Sequence, residues 1–273
     1  MQTTNFYNIV QSKNRSVAVW IEDFFGFKPE WSDLTAPNLK EFRDFLMENL
    51  SPNSARTYLA ELKSVINLYR GVEYIPCQDK DLKLLKVKAV KTTNCYLTPK
   101  ELAKIESLHL KNKRHRDIRD MFLLQAWTGC RESDAVCLTM DNIKDGLLSY
   151  TSKKTQTYAV IPVKPLVVKI IERMPEIEHY GRATYNRVVS NLCARAGLTE
   201  KITLFKSGNM VRDAKFRFCT SHTARRSFAT NLYDAGVEIT KIAYMMGHSS
   251  TSMTERYICN NMEINDNIKE FFK

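Results

Sequence analysis

The segment from Ser221 to Ile258, SHTARRSFATNLYDAGVEITKIAYMMGHSSTSMTERYI, limits the fold more than any other part of the chain. Its apolar residues recur at helical spacing, and glycines cut the pattern into short helices. Phe228, Ala229 and Leu232 form the stripe of one helix, which Gly236 ends. Ile239, Ile242 and Met246 mark the buried face of the next, and Gly247 ends it, so His248 falls just beyond a helix C-terminus. His222 and Arg225 are three apart and project from one helical face. Ser252-Met253-Thr254-Glu255 reads as a capping box, which predicts Tyr257 near the start of a further short helix.

Upstream, the pattern changes twice. Residues 14–70 read as helical, with Val17, Trp20, Ile21, Phe24 and Phe25 on one face and Leu39, Phe42, Phe45 and Leu46 on another. Ser51-Pro52-Asn53 opens a third helix carrying Tyr58, Leu62, Val65, Ile66 and Tyr69, and Gly71 closes it. Residues 71–95 hold Pro76 and the lysines 80, 83, 86, 88 and 91, and read as a basic connection: a solvated linker, or a strap across a phosphate backbone. Thr98-Pro99-Lys100-Glu101 is a capping box that starts a second domain, with a further helix from Arg116 to Ala126. Leu148 to Val163 switches to β character around a polar turn, and Ser207-Gly208-Asn209 marks a second hairpin. The fold class expected is mainly α with a small β-sheet: a helical bundle over 1–90, a linker over 91–95, and an α+β domain over 96–273.

A formal charge of +11 favours a polyanionic partner, because each Lys or Arg set against a phosphate releases condensed counterions. The seven cysteines are odd in number and nowhere in C-x-x-C spacing, which points to reduced thiols rather than a disulfide framework or zinc site. No apolar run is long enough for a membrane span, and the N-terminus lacks the apolar core of a secretory signal. A cytoplasmic protein is expected.

H-x-x-R at His222 and Arg225, then Gly247-His248, then Tyr257 nine residues on, resembles the C-terminal signature of the tyrosine recombinases, or phage-type integrases. Thr128-Gly129-Cys130-Arg131-Glu132-Ser133-Asp134 is similar to the family's T-G-x-R-x-x-[DE], with Asp134 supporting Arg131. Family members carry a hairpin lysine about eight residues before a proline; counting back from Pro162 reaches Lys154, while Lys153 serves instead if the register slips by one. The wording HTARRSFATN and GHSSTSMTERYI is similar to integrases of Bacteroidetes and their mobile elements. The resemblance covers residues 97–260 well and the N-terminal bundle loosely, as a core-binding domain. It implies a catalytic set of Arg131, Lys154, His222, Arg225, His248 and Tyr257.

These residue types suit phosphodiester chemistry on their own terms. Catalysis there is mainly charge stabilisation and positioning. Guanidinium forks match phosphate oxygens and stay charged, which suits Arg131 and Arg225. Lys154 can protonate the departing 5′ oxygen, and two imidazoles can hold protons near neutrality. Tyr257 attacks, with His222 as the expected proton acceptor. The chain lacks G-x-x-x-x-G-K-[ST] and a compact carboxylate cluster, so no cofactor is expected, neither ATP nor metal.

The resemblance further implies double-stranded DNA as partner, a homo-tetramer on synapsed sites formed from free monomers or dimers, and accessory DNA-bending proteins. An arm-binding domain such as many relatives carry is either absent or lies outside this sequence. Ile264, Ile268, Phe271 and Phe272 close the chain's own core or pack on a neighbouring protomer. Arg226 is a phosphate contact or an ion-pair partner. Two rivals remain at this point: a type IB topoisomerase-like strand relaxation, and a non-catalytic DNA-binding regulator on a recombinase scaffold.

Overall fold

Asn5 and Asn14 each turn a side-chain oxygen onto exposed helix N–H groups, and so start the first two helices, α1 (Phe6–Lys13) and α2 (Arg15–Phe25). Thr35 and Ser51 do the same for α3 (Ala36–Asn49) and α4 (Pro52–Tyr69), both with proline in the first turn. The computed structural model describes residues 5–259; the segment carrying Ile264, Ile268, Phe271 and Phe272 lies outside them. The chain divides into two compact units between Thr92 and Thr93, with Phe205–Met210 grouped with the first.

In the first unit, Phe6, Ile21, Leu39, Phe42, Leu46, Leu59, Leu62 and Ile66 are buried in one apolar core. α1 was absent from the sequence reading, because its single turn-and-a-half of apolar residues precedes the clearer pattern. The basic stretch after α4 is not a free linker. Cys77, Leu82 and Leu85 are buried in the same core. The Asn53 side chain then holds the Val90 backbone from both sides, donating to its carbonyl at 2.7 Å and accepting from its N–H at 3.0 Å. The five lysines of this stretch remain exposed.

The second unit is built on α6 (Lys113–Thr128), which follows α5 (Pro99–Glu106) and is buried nearly all round. α6 opens three residues before the expected Arg116, with Asn112 as its cap. α7 (Glu132–Ala135) leads into an antiparallel sheet of β1 (Ile143–Lys144), β2 (Leu147–Thr151) and β3 (Tyr158–Pro162), in that spatial order. Leu148 pairs with Ile161 and Tyr150 with Ala159, all facing the core. α8 (Pro165–Glu172) and α9 (Arg182–Arg195), which the sequence reading left unassigned, bury Val167, Ile170, Val189 and Leu192. β4 (Lys201–Lys206) and β5 (Asn209–Ala214) form the second hairpin, with Ser207 and Gly208 at positive φ in its turn. α10 (Lys215–Phe218), α11 (Ser221–Asp234), α12 (Ile239–Met245) and α13 (Thr251–Glu255) complete the described chain, with α11 packed along α6. The sequence expectation of a mainly α protein with a small sheet matches this architecture.

Candidate active site

The packing of α11 on α6 brings the distant motifs together. α6 ends at Gly129, whose φ of +66° is the left-handed conformation glycine adopts without strain. A Cβ at this position would also run into the Phe228 ring of α11. The stop leaves the Gly129 carbonyl free, and Arg225 Nη1 donates to it. Arg225 Nη2 donates to the Met246 carbonyl at 3.3 Å and meets His248 Nε2 at 2.8 Å. A guanidinium has five N–H donors and no acceptor. These bonds leave one Nη1 hydrogen and the Nε–H, and Nε has no partner among the described residues.

The same logic assigns the His248 tautomer. Because Arg225 can only donate, Nε2 accepts, so Nδ1 carries the proton and donates to Thr254 Oγ1 at 2.9 Å. Burial, then the charges of Arg225 and Arg131, push the His248 pKa down to about 4. At neutral pH His248 is therefore a neutral ring that orients Arg225. The sequence suits this ring to donating, accepting or holding protons, and the fold places it against Arg225 and Thr254.

Arg131 is the N-cap residue of α7, two residues after Gly129. Its Nη1 donates to Ser152 Oγ at 2.7 Å, and Ser152 donates to the buried Asp134 at 3.0 Å. Asp134 also accepts the Lys153 backbone N–H at 3.0 Å. The expected support of Arg131 by Asp134 thus runs through a serine; the direct Arg131–Asp134 separation is 3.9 Å.

Lys153 and Lys154 diverge in the turn between β2 and β3. Lys153 Nζ points to Cys137 Sγ at 2.7 Å, whereas Lys154 lines a cavity of about 300 Å³. Arg131, His222, Arg225 and Tyr257 line the same cavity. His222 is exposed at its mouth; partial burial and the neighbouring Arg226, Arg182 and Arg225 hold its pKa below the ordinary imidazole value.

Tyr257 is not near the start of a helix as expected. α13 begins at Thr251 and ends at Glu255, Ser250 stands at its N-cap position without a side-chain cap bond, and Tyr257 follows in a turn with its N–H on the Thr254 carbonyl at 2.8 Å. Ser252, the expected cap, instead lies inside α13 with its Oγ 3.0 Å from Ser250 Oγ. The phenol ring lies along the His248 ring, centroids 5.3 Å apart, with the Arg225 guanidinium 5.2 Å from its centre. Arg226 is half-buried with its Nε unpartnered among the described residues.

Five of the six expected residues therefore line one cavity, and His248 reaches it through Arg225 and Tyr257. The sequence reading missed Gln125, Glu132, Ser133, Arg182 and Ser221 on its wall, and Ser152 behind it. Ser152 had a signal: it continues the inward alternation of Leu148 and Tyr150, where a polar residue needs a buried partner.

Residues 96–263 match the phage integrase family, more than half of the chain. The chain belongs to that family. Among relatives of the chain, the tyrosine recombinase XerA of Pyrococcus furiosus is 28% identical over 78% of either chain. The tyrosine recombinase XerD of Chlamydia pneumoniae is 25% identical over 59% of this chain and 56% of its own length. A crystal structure of lambda integrase (75–356), a dimer bound to a COC′ core site, shares the fold with a TM-score of 0.67 at 17% identity, covering 94% of each chain. The XerH recombinase bound to a palindromic difH substrate aligns with a TM-score of 0.63 at 18% identity, covering 98% of this chain and 78% of that one. Family and relatives together support a site-specific recombinase of the tyrosine class.

Proposed function

We propose that this integrase cuts and rejoins double-stranded DNA between two short sites through a 3′-phosphotyrosyl link at Tyr257. The convergence of Arg131, Lys154, His222, Arg225 and Tyr257 on one cavity carries the reading. The lambda integrase and XerH structures of this fold are complexes with DNA.

In this scheme Arg131 and the free donors of Arg225 bind the non-bridging oxygens of the scissile phosphate. The Tyr257 oxygen attacks phosphorus, and its proton passes to His222. The lowered His222 pKa keeps that ring unprotonated at neutral pH, ready to accept. The P–O5′ bond breaks, and Lys154 gives its proton to the leaving 5′ oxygen. One ester replaces another, so a DNA 5′-hydroxyl can reverse the step. The first unit, with its exposed lysines after α4, serves as the core-binding domain that straps the duplex. The acting species is a tetramer on two synapsed sites, inside a bacterial cell, encoded by a mobile element of the kind found in Bacteroidetes.

The test is covalent capture. The protein is incubated with a pool of nicked duplexes of randomised sequence, and DNA that stays attached after denaturation is recovered and read. The parent chain should enrich a defined sequence and Tyr257→Phe should capture none. Retention of DNA without any covalent adduct would support a binding-only regulator instead, and relaxation of supercoiled plasmid without strand exchange would support a topoisomerase.

A further inference from the structure

Ser152 has no exposed surface, and its hydroxyl both accepts and donates. Its Oγ accepts from Arg131 Nη1 at 2.7 Å and donates to Asp134 Oδ2 at 3.0 Å. The direction of both bonds is forced, because a guanidinium only donates and a carboxylate only accepts. A hydroxyl is the group that satisfies both neighbours at once. The other Asp134 oxygen holds the Lys153 N–H at 3.0 Å, at the entrance of the turn that carries Lys154.

The turn is held elsewhere as well. The Ser152 N–H donates to the Thr157 carbonyl at 2.9 Å, and the Ser152 carbonyl accepts from the Gln156 N–H at 2.8 Å. Gln156 stands at φ +52°, a conformation non-glycine residues adopt only when their surroundings impose it. Thr155 Oγ1 donates to the Gly247 carbonyl at 2.8 Å, one residue before His248. The Gly247 backbone passes so close that a Cβ there would sit 3.3 Å from Ser152 Cβ. Ser152 thus stands at the junction of three parts of the cavity: the Arg131 guanidinium, the Lys154 turn, and the Gly247-His248 corner.

We propose that Ser152 is a positioning residue that couples Arg131 to the Lys154 turn, so that the group holding the phosphate and the group protonating the leaving oxygen are set by one buried hydroxyl–carboxylate pair. The inference rests on the functional reading above. Ser152 touches no DNA atom itself; it acts through Arg131 and, with Asp134, through the backbone that aims Lys154.

Substrates with different leaving groups separate this role from ordinary packing. In a nicked duplex of the captured sequence, the 5′-bridging oxygen at the scissile phosphate is replaced by sulfur. A thiolate departs without a proton, since a thiol pKa of ~8.5 lies far below that of an alcohol. Cleavage of the sulfur duplex therefore bypasses Lys154 but still needs Arg131. Ser152→Ala is expected to cleave the oxygen duplex about a hundredfold more slowly than the parent, the loss that a misplacement of about an ångström brings. On the sulfur duplex its deficit should shrink but not vanish. In a Lys154→Ala background the same substitution should cost less than in the parent, because the two act along one path. Asp134→Asn, which keeps the volume, should repeat the leaving-group pattern. Thermal unfolding and DNA retention, measured alongside, identify any variant that fails to fold.

An equal deficit on both duplexes, or none, overturns the coupling while leaving the recombinase reading intact. Failure of the parent chain to form any adduct overturns the reading and the coupling with it.

Discussion

The two units solve the same packing problem with different materials. In the first, the buried residues among those described are aliphatic, aromatic or cysteine. In the second, Asp117, Asp120, Gln125, Asp134, Ser152, Arg225 and His248 are buried beside an equally apolar core. Burying such groups costs free energy unless each finds a partner. The partners are visible: Asp120 faces Arg119 and Arg173, Gln125 faces Tyr185, and Arg225 spends three bonds on protein atoms. The difference teaches that polar burial is confined to one unit, where Gln125 and Arg225 line the cavity while Asp117 and Asp120 are held by Lys113, Arg119 and Arg173 away from its lining. The interior of the helical bundle rests on apolar packing, whereas that of the second unit rests on paired charges as well.

The sharpest test of this contrast is Tyr257→Phe. It should abolish covalent adduct in a denaturing gel while leaving the melting temperature close to the parent's, since the ring is only half-buried. Lys154→Ala should lower the single-turnover cleavage rate by about 10²–10⁴, the range of a lost general acid. A rate near the parent's would hand that role to another group.

In the bundle, effects should fall on stability alone. Phe42→Ala removes a fully buried ring and should cost about 3–5 kcal/mol in denaturant unfolding. Adduct yield per folded molecule should stay unchanged. A large drop in that yield would mean the bundle shapes the chemistry, and the contrast would fail.

Acid should act on the second unit. The folded pKa values of His248, about 4, and of His222 lie below the ordinary ~6.5. As pH falls below that value, the unfolded chain binds protons that the folded chain refuses. The contribution is complete above about pH 6.5 and is lost as pH falls toward 4. Urea unfolding between these values should show stability declining, with a shallower slope in His248→Gln; equal slopes would refute the neutral-ring assignment. The smallest effect belongs to Lys153→Ala. Its exposed ammonium faces Cys137, so stability should change within about 0.5 kcal/mol and cleavage hardly at all.

Sequence by itself determined the helical plan, the two hairpins, the family and the order of the six site residues. These signals are local: caps, glycine stops, strand alternation and motif spacing all act over a few residues. α1, α8 and α9 went unread even though Asn5 caps α1 and Pro165 opens α8, and the 71–95 stretch looked like a linker because its buried Cys77, Leu82 and Leu85 are outnumbered by lysines.

Only the tertiary structure decided which of these groups meet and in what surroundings. Arg225 meets Gly129 from 96 positions away and Thr155 meets Gly247 from 92, separations that no local pattern encodes. His248 became a neutral acceptor because burial and two guanidinium charges lowered its pKa, and Ser152 became a junction because three elements closed around it. Spacing names the groups, but protonation and aim depend on which charges and which backbone surround them.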